Sequence, residues 1–289
     1  MRLRVATRAS ALARWQTDHV ARLLRSADPS VEVEVVAVET VGDRRLDVPI
    51  AELGGKGVFA KEVQAAVLDG RADIAVHSAK DLPSVTLAGL RLAAVPERGD
   101  ARDALVGATL ADLPTGAVVA TGSNRRRVQL AELRRDLRFA ELRGNMATRL
   151  EKAAGFDAIV VAGVALARLG LDDRIAEWLP VDLLVPQVGQ GALAVECRDD
   201  DASTGRLLAA IEHGPSRIRV DAERAFLAEL GGDCDLPAGA HATLAADGGV
   251  RLDAILAEPD GGPVHRHQLN GDHAEAVGRA LAVHLRSTF

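Results

Sequence analysis

Over about the first 200 residues, short apolar runs alternate with stretches of helical spacing. RLRVAT reads as a strand, the segment from about Ser10 to Ala27 as a helix, and the strictly alternating VEVEVVAV as a second strand. A helix from about Val58 to Asp69 is closed by Gly70 and leads into the strand DIAVHS. This βαβ order implies a mostly parallel sheet. After a loop at Pro96 to Arg102 the rhythm restarts: GAVVAT, a helix from about Ser123, LRFAEL, a helix after Asn145, DAIVVA, and a helix before Gly170. Two similar α/β units in series are predicted. The Pro- and Gly-rich segment Pro186 to Gly191 precedes one more strand, ALAVEC, which needs a partner and could return to the first unit. Beyond about Gly214 come a long helix to about Leu230, the strands HATLAAD, VRLDAILAE and PVHRHQLN, and a final helix, a small α+β domain.

The 48% apolar content supplies conventional cores for a chain of 289 residues. No run reaches the roughly 18 consecutive apolar residues of a membrane span, and the start MRLRVATRAS lacks a secretory h-region, so a soluble cytoplasmic protein is expected. The two cysteines, Cys197 and Cys234, form neither a disulfide framework nor a CxxC spacing, and no metal site is expected. With a net charge of −6 and only 5 Phe, 2 Trp and no Tyr, binding of nucleic acid through a basic or stacking surface is disfavoured. Between Thr121 and Arg149, however, eight Arg and three acids give a local +5. Arginine without lysine suits planar recognition of carboxylate or phosphate. For Arg134, Arg135 and Arg138 a solvated helix face is the simpler reading.

The segment HSAKDLP, His77 to Pro83, lies at the carboxyl end of a predicted strand, where open α/β sheets bind ligands. Lys80 beside Asp81 there points to chemistry; His77 reads more simply as a core histidine. Gly54 to Gly57, with Lys56, opens a helix and could hold an anion, although it has neither dinucleotide nor phosphate-loop spacing. Ser123 to Arg126 and Arg143 to Asn145 occupy similar strand-to-helix junctions. Cys197 sits inside an apolar strand and reads as inert; Cys234, in GGDCDLP, lies in a glycine-rich loop, with Asp233 and Asp235 opposing thiolate formation. The residues themselves leave an enzyme, a non-catalytic receptor for an anionic small molecule, and a degenerate paralogue open. The receptor leaves Cys234 and the Lys80–Asp81 pair unexplained.

Nine motifs occur in order from about Arg4 to Gly239: ATRASALARWQ, GDRRLDVP, GGKGVFAKE, ADIAVHSAKDLP, TGSNRRR, LRGNMATRL, ARLGL, PQVGQGA and AERAFLAELGGDCDLPAGA. Together they resemble the porphobilinogen deaminase (hydroxymethylbilane synthase) family; the last fifty residues carry little signature. The resemblance implies an α/β fold of two periplasmic-binding-protein-like domains plus a small C-terminal α+β domain. The boundaries would be 1–98 with 190–209, 99–189, and 210–289. It implies a transferase of tetrapyrrole and heme biosynthesis that condenses four porphobilinogens with loss of ammonia and releases hydroxymethylbilane. A dipyrromethane cofactor would be thioether-linked to Cys234.

By motif match, the resemblance makes Asp81 and Lys80 catalytic. It has Arg8, Ser10, Lys56, Ser78, Lys80, Asp81, Thr121, Ser123, Arg125, Arg126, Arg143 and Gly144 hold the cofactor. Arg8, Gln16, Phe59, Arg143, Arg149, Arg168 and Gln190 would bind substrate. It further implies a monomer that hands its product to uroporphyrinogen III synthase, with no nucleic-acid or membrane partner. The chain departs from the family pattern at Ala11 (usually Pro), Glu52 (often Lys), Asn124 (commonly Leu) and Asp233 (usually Gly), the last placing a negative charge beside the attachment sulfur.

Overall fold

Strands β1 (Arg2–Arg8), β2 (Glu32–Val38) and β3 (Ile74–Ser78) pair in parallel in the computed structural model, which describes residues 1–44, 57–231, 236–258 and 262–288. The chain divides into two compact units: Met1–Arg98 with Ala192–Val220, and Gly99–Gly191 with Asp221–Phe289.

The first unit is built on a five-stranded sheet of order β2-β1-β3-β10-β4, where β4 is Leu90–Ala94 and β10 is Leu193–Arg198. Strand β10, the ALAVEC run, returns to this sheet and lies antiparallel to both β3 and β4. Helix α1 (Ala11–Ala27) starts where Ser10 accepts a hydrogen bond from the Ala13 N–H at 3.3 Å. Its apolar stripe, Val20 and Leu24, packs with Leu3, Val5, Ile74 and Val76. A short α2 (Val41–Arg44) follows β2. Helix α3 (Lys61–Leu68) covers the other face, packing Val63, Ala66 and Val67 against Ala6, Val38 and Ala75. It begins later than the apolar pattern suggests, because residues 57–60 form a turn. Period-two alternation along β3 therefore aims Ile74 and Val76 at α1, and Ala75 and His77 at the α3 side.

In the second unit, β5 (Asp103–Val106), β6 (Val118–Ala120), β7 (Arg138–Ala140), β8 (Ala158–Ala162) and β9 (Glu177–Leu179) form a sheet of order β7-β6-β8-β5-β9. The pattern of the first sheet recurs, with three parallel strands followed by one antiparallel strand, here β5. Helices α4 (Asn124–Leu133), α5 (Met146–Ala153) and α6 (Gly163–Arg168) follow β6, β7 and β8. After α7 (Ala202–Ala209) and α8 (Gly214–Glu229), an antiparallel sheet of β11 (Ala238–Leu244), β12 (Val250–Ala257) and β13 (Val264–Gly271) is completed by α9 (Ala274–Arg286). Phe226 of α8 and Val277, Leu281 and Leu285 of α9 share its core with Ala240, Leu252 and Ala254. Gly278 lets α9 approach α8, since a Cβ there would collide with the Ala222 carbonyl. The result is a mixed α/β chain with two like sheets and a small C-terminal sheet-and-helix assembly, the fold class that the patterning implies.

Candidate functional site

Parallel strands present their carboxyl ends at one edge of a sheet, and that edge collects the sequence-predicted residues of the first unit. At the end of β1, the Arg8 guanidinium lies over the Phe59 ring, 4.3 Å from its centroid. Ser10 is occupied as the α1 cap. At the end of β3, Ser78 Oγ accepts a 2.7 Å hydrogen bond from Nε2 of the buried Gln16. The chain then tightens into a 3₁₀ turn, Ala79–Asp81, pinned by the Ala79 N–H donating to the Ala192 carbonyl at 3.0 Å and ended before Pro83. Lys80 and Asp81 are both half-buried on this turn. No described residue forms an ion pair or hydrogen bond with the Asp81 carboxylate. Lys56 and Cys234 lie outside the described residues.

In the second unit, buried Thr121 follows β6, and its Oγ1 accepts from the Ser123 N–H at 3.2 Å. Ser123 is the N-cap residue of α4, yet its side chain makes no cap bond. After β7, Arg143 pairs with Glu141 at 2.9 Å, and Arg149 Nε donates to the Gly144 carbonyl at 2.8 Å. Asn145 caps α5 through the Thr148 N–H at 3.1 Å. Gly144 adopts φ +118, and a Cβ there would stand 2.7 Å from Thr148 Cγ2. Gly144→Ala is expected to cost more than about 1 kcal/mol, read as a lower urea midpoint at unchanged slope.

Arg125 and Arg126 are buried around Asp103, a residue that sequence reasoning missed. Arg125 Nη2 meets Asp103 Oδ2 at 2.7 Å, while Arg126 donates to Oδ1 from Nε at 3.1 Å and from Nη2 at 2.7 Å. Gln190 Nε2 adds a fourth donor to the carboxylate, reaching Oδ1 at 2.8 Å, and also reaches the Ala101 carbonyl at 2.7 Å. Burial pushes the Asp103 carboxyl up, but the two guanidinium groups and the donors from Arg126 and Gln190 outweigh it and hold the group well below the usual carboxylate range. Burial pushes Arg125 down, partly offset by Asp103. Two cations on one carboxylate leave this buried cluster net positive, and Arg125 Nε has no hydrogen-bond partner among the described residues. Arg168, pushed down to about 10 by burial, donates from Nη2 to the Gly191 carbonyl at 2.7 Å.

The solvated-helix reading of the remaining arginines also changes. Helix α4 stops at Leu133, so none of the three lies within it. Arg134 caps it, binding Asp136 and the carbonyls of Leu110 and Leu113, whereas Arg135 and Arg138 are exposed. Each unit thus offers cations, hydroxyls and helix starts at a carboxyl edge, groups that bind carboxylates, and the first adds an unengaged aspartate.

A family model described as "Porphobilinogen deaminase, dipyromethane cofactor binding domain" matches residues 3–206, and "Porphobilinogen deaminase, C-terminal domain" matches residues 217–287. The porphobilinogen deaminase of Nitratidesulfovibrio vulgaris (strain DSM 19637 / Miyazaki F) is 46% identical over 295 residues, covering 98% of this chain and 93% of its own. That of Syntrophotalea carbinolica is 46% identical over 287 residues, covering 97% and 91%. Among solved structures, the chain is similar to a periplasmic substrate-binding protein of an ABC transporter from Coxiella burnetii (15% identity, TM-score 0.44, 74% of this chain and 93% of that one). It is also similar to a nutrient binding protein from Burkholderia cenocepacia (14% identity, TM-score 0.43, 80% and 96%).

Proposed function

Since the chain belongs to the porphobilinogen deaminase family, we propose that it joins four porphobilinogens head to tail, losing ammonia at each addition, and releases hydroxymethylbilane by hydrolysis. The observation that carries this reading to individual residues is the turn Ala79–Asp81, which sets Lys80 and the unengaged Asp81 carboxylate at the carboxyl edge of the first sheet.

A dipyrromethane cofactor, when bound, supplies the pyrrole position at which the chain is extended. Its acetate and propionate groups call for cationic and hydroxyl donors, and the residues present fit. The buried cluster around Asp103 is net positive with Arg125 Nε unpartnered, and the Ser123 side chain makes no cap bond. The first unit offers Arg8, Ser10, Ser78 and Lys80; the second offers Thr121, Ser123, Arg125, Arg126, Arg143 and the backbone of Gly144. Lys56 and the attachment residue Cys234 complete the set by motif. Arg125 and Arg126 serve through the charge of their cluster, because most of their fork is already engaged.

By motif match, Arg8, Gln16, Phe59, Arg143, Arg149, Arg168 and Gln190 bind the substrate. Gln16 acts by holding Ser78, and Gln190 by holding Asp103. As the substrate's C–N bond breaks, its electron pair leaves with ammonia and positive charge develops on the pyrrole. The Asp81 carboxylate stabilises that charge and accepts from the pyrrole N–H, while Lys80 neutralises a substrate carboxylate. The same reading makes the protein a cytoplasmic monomer that passes its product to uroporphyrinogen III synthase, with domains at 1–98 with 190–209, 99–189, and 210–289. Among the described residues no helix is long and apolar enough to cross a membrane.

Intact mass tests the proposal. The purified protein should exceed its sequence mass by two porphobilinogens less two ammonias, with the increment on the Cys234 peptide. Unmodified Cys234 after incubation with porphobilinogen, or porphobilinogen consumed without ammonia, would overturn it.

A further inference from the structure

Beneath the Lys80–Asp81 turn, on the α3 face of the first sheet, three polar side chains meet where apolar packing would be ordinary. Gln64 of α3, His77 of β3 and Glu196 of β10 are 2%, 6% and 1% exposed. Gln64 Nε2 donates to Glu196 Oε2 at 2.9 Å and to Oε1 at 3.2 Å. His77 Nε2 stands 3.2 Å from Glu196 Oε2 without the geometry of a hydrogen bond, so the ring closes off that side of the carboxylate by contact. Burying a carboxylate costs several kcal/mol unless partners satisfy it, so such a group is retained where it specifies an arrangement more than where it adds stability.

The arrangement at stake is the register of β10. This strand runs antiparallel to β3, with Ala194 opposite His77 and Leu193 opposite Ser78. On its other side, against β4, the register shifts between Val195 and Glu196. A strand with a bulge on one edge is weakly specified by its ladder alone, and a one-residue slip would send Glu196 to the apolar α1 face among Leu3, Val5 and Leu24. Glu196, held by Gln64 and packed against His77, forbids that slip. The same strand is entered through Ala192, whose carbonyl takes the Ala79 N–H at 3.0 Å and so fixes the first residue of the turn.

We propose that Gln64, His77 and Glu196 are positioning residues that lock β10 against β3 and thereby hold Lys80 and Asp81 in their working geometry. The proposal rests on the role given to Asp81 above. Small misplacements of a reacting group cost large factors in rate, so Glu196→Gln and His77→Leu are each expected to lower kcat for porphobilinogen about tenfold, with KM within about twofold. His77→Gln, which keeps a polar side chain near the position of Nε2, should retain most of kcat. Hydrogen exchange at the Ala79 amide, measured on the folded protein, should quicken in Glu196→Gln and in His77→Leu but not in His77→Gln. If His77→Leu does not fold, Glu196→Gln and His77→Gln carry the comparison. A kcat per folded molecule that stays at the wild-type value in Glu196→Gln, with only a lower melting temperature, overturns the proposal. Asp81→Asn in the same series separates the two readings: if it is inactive while the buried variants keep full kcat, the positioning role alone fails; if it is fully active, both fail.

Discussion

Asp81→Asn is expected to slow porphobilinogen consumption by about 10²–10³-fold while leaving the unfolding midpoint unchanged. Asparagine keeps the size and planarity of the side chain and removes only its charge. The native carboxylate has no ion pair or hydrogen bond among the described residues, so the fold loses no described bond in the exchange. The reaction does lose something, because positive charge grows on the substrate as ammonia departs, and a fixed carboxylate in a half-buried site opposes that charge more strongly than water does. Since the interaction strengthens between bound substrate and transition state, the loss should fall on kcat more than on KM. Ammonia release from purified protein, followed under saturating porphobilinogen, checks the prediction; a rate at the wild-type value would remove Asp81 from the mechanism.

Asp103→Ala should produce the largest loss of stability of any single change in the second unit, about 3–5 kcal/mol, because it leaves two buried guanidinium groups facing each other without their shared carboxylate. The loss spreads beyond the two arginines: Gln190 loses its partner on the oxygen it shares with Arg126. Acidity supplies the control. Burial raises the Asp103 carboxyl, but the arginines lower it further, so the folded state holds it deprotonated below the usual carboxylate range. A group depressed in the folded state contributes stability that is complete above its unfolded value, about 3.9, and is lost as pH falls through its folded value. The gap in urea midpoint between wild type and variant should therefore be constant from about pH 5 to 8 and narrow below about pH 4. A gap that widens on acidification would show that folding does not depress the Asp103 carboxyl.

The sequence showed its elements best where local chemistry and period agreed. The runs that became β1, β2, β3 and β8 are continuous or alternating apolar segments, and Ser10 and Asn145 stand where side chains cap the following helices. The return of ALAVEC to the first sheet was legible because a buried strand needs pairing on both edges. Strand β5 escaped notice because DALV is only four residues long and buried throughout, with no alternation to mark it; β9 has three residues, and β4 follows a loop without a sharp boundary. Helix α7 carries Gly205 and begins at an Asp–Ala–Ser–Thr run that reads as a turn, until Asp201 is seen to cap it through the Thr204 N–H at 3.0 Å.

At the site, residue types and sheet edges were legible, but the partners were not. Charge is visible in a string of letters, whereas the carboxylate that consumes it is not: Asp103 lies 22 residues before Arg125, and its Gln190 donor 87 residues after it. Arg134 looked like surface charge because its carbonyl acceptors, Leu110 and Leu113, come from an earlier loop. The role of Glu196 was hidden for the same reason, since its amide and imidazole neighbours arrive from segments more than a hundred residues upstream.

The antiparallel insertion of β10 between β3 and β4 also sets an order of assembly during synthesis. When the ribosome has made residues 1–98, four of the five strands of the first sheet exist, but the one that separates β3 from β4 has yet to be translated. The nascent segment must wait for roughly another hundred residues with two strand edges unpaired, the kind of surface that holdase chaperones cover and that aggregates when they do not. The second sheet has no such delay, because all its strands come from one continuous stretch, residues 103–179. The middle of the message thus encodes the first sheet able to close, and the amino-terminal sheet is completed only when its last-made strand slides into the gap left for it.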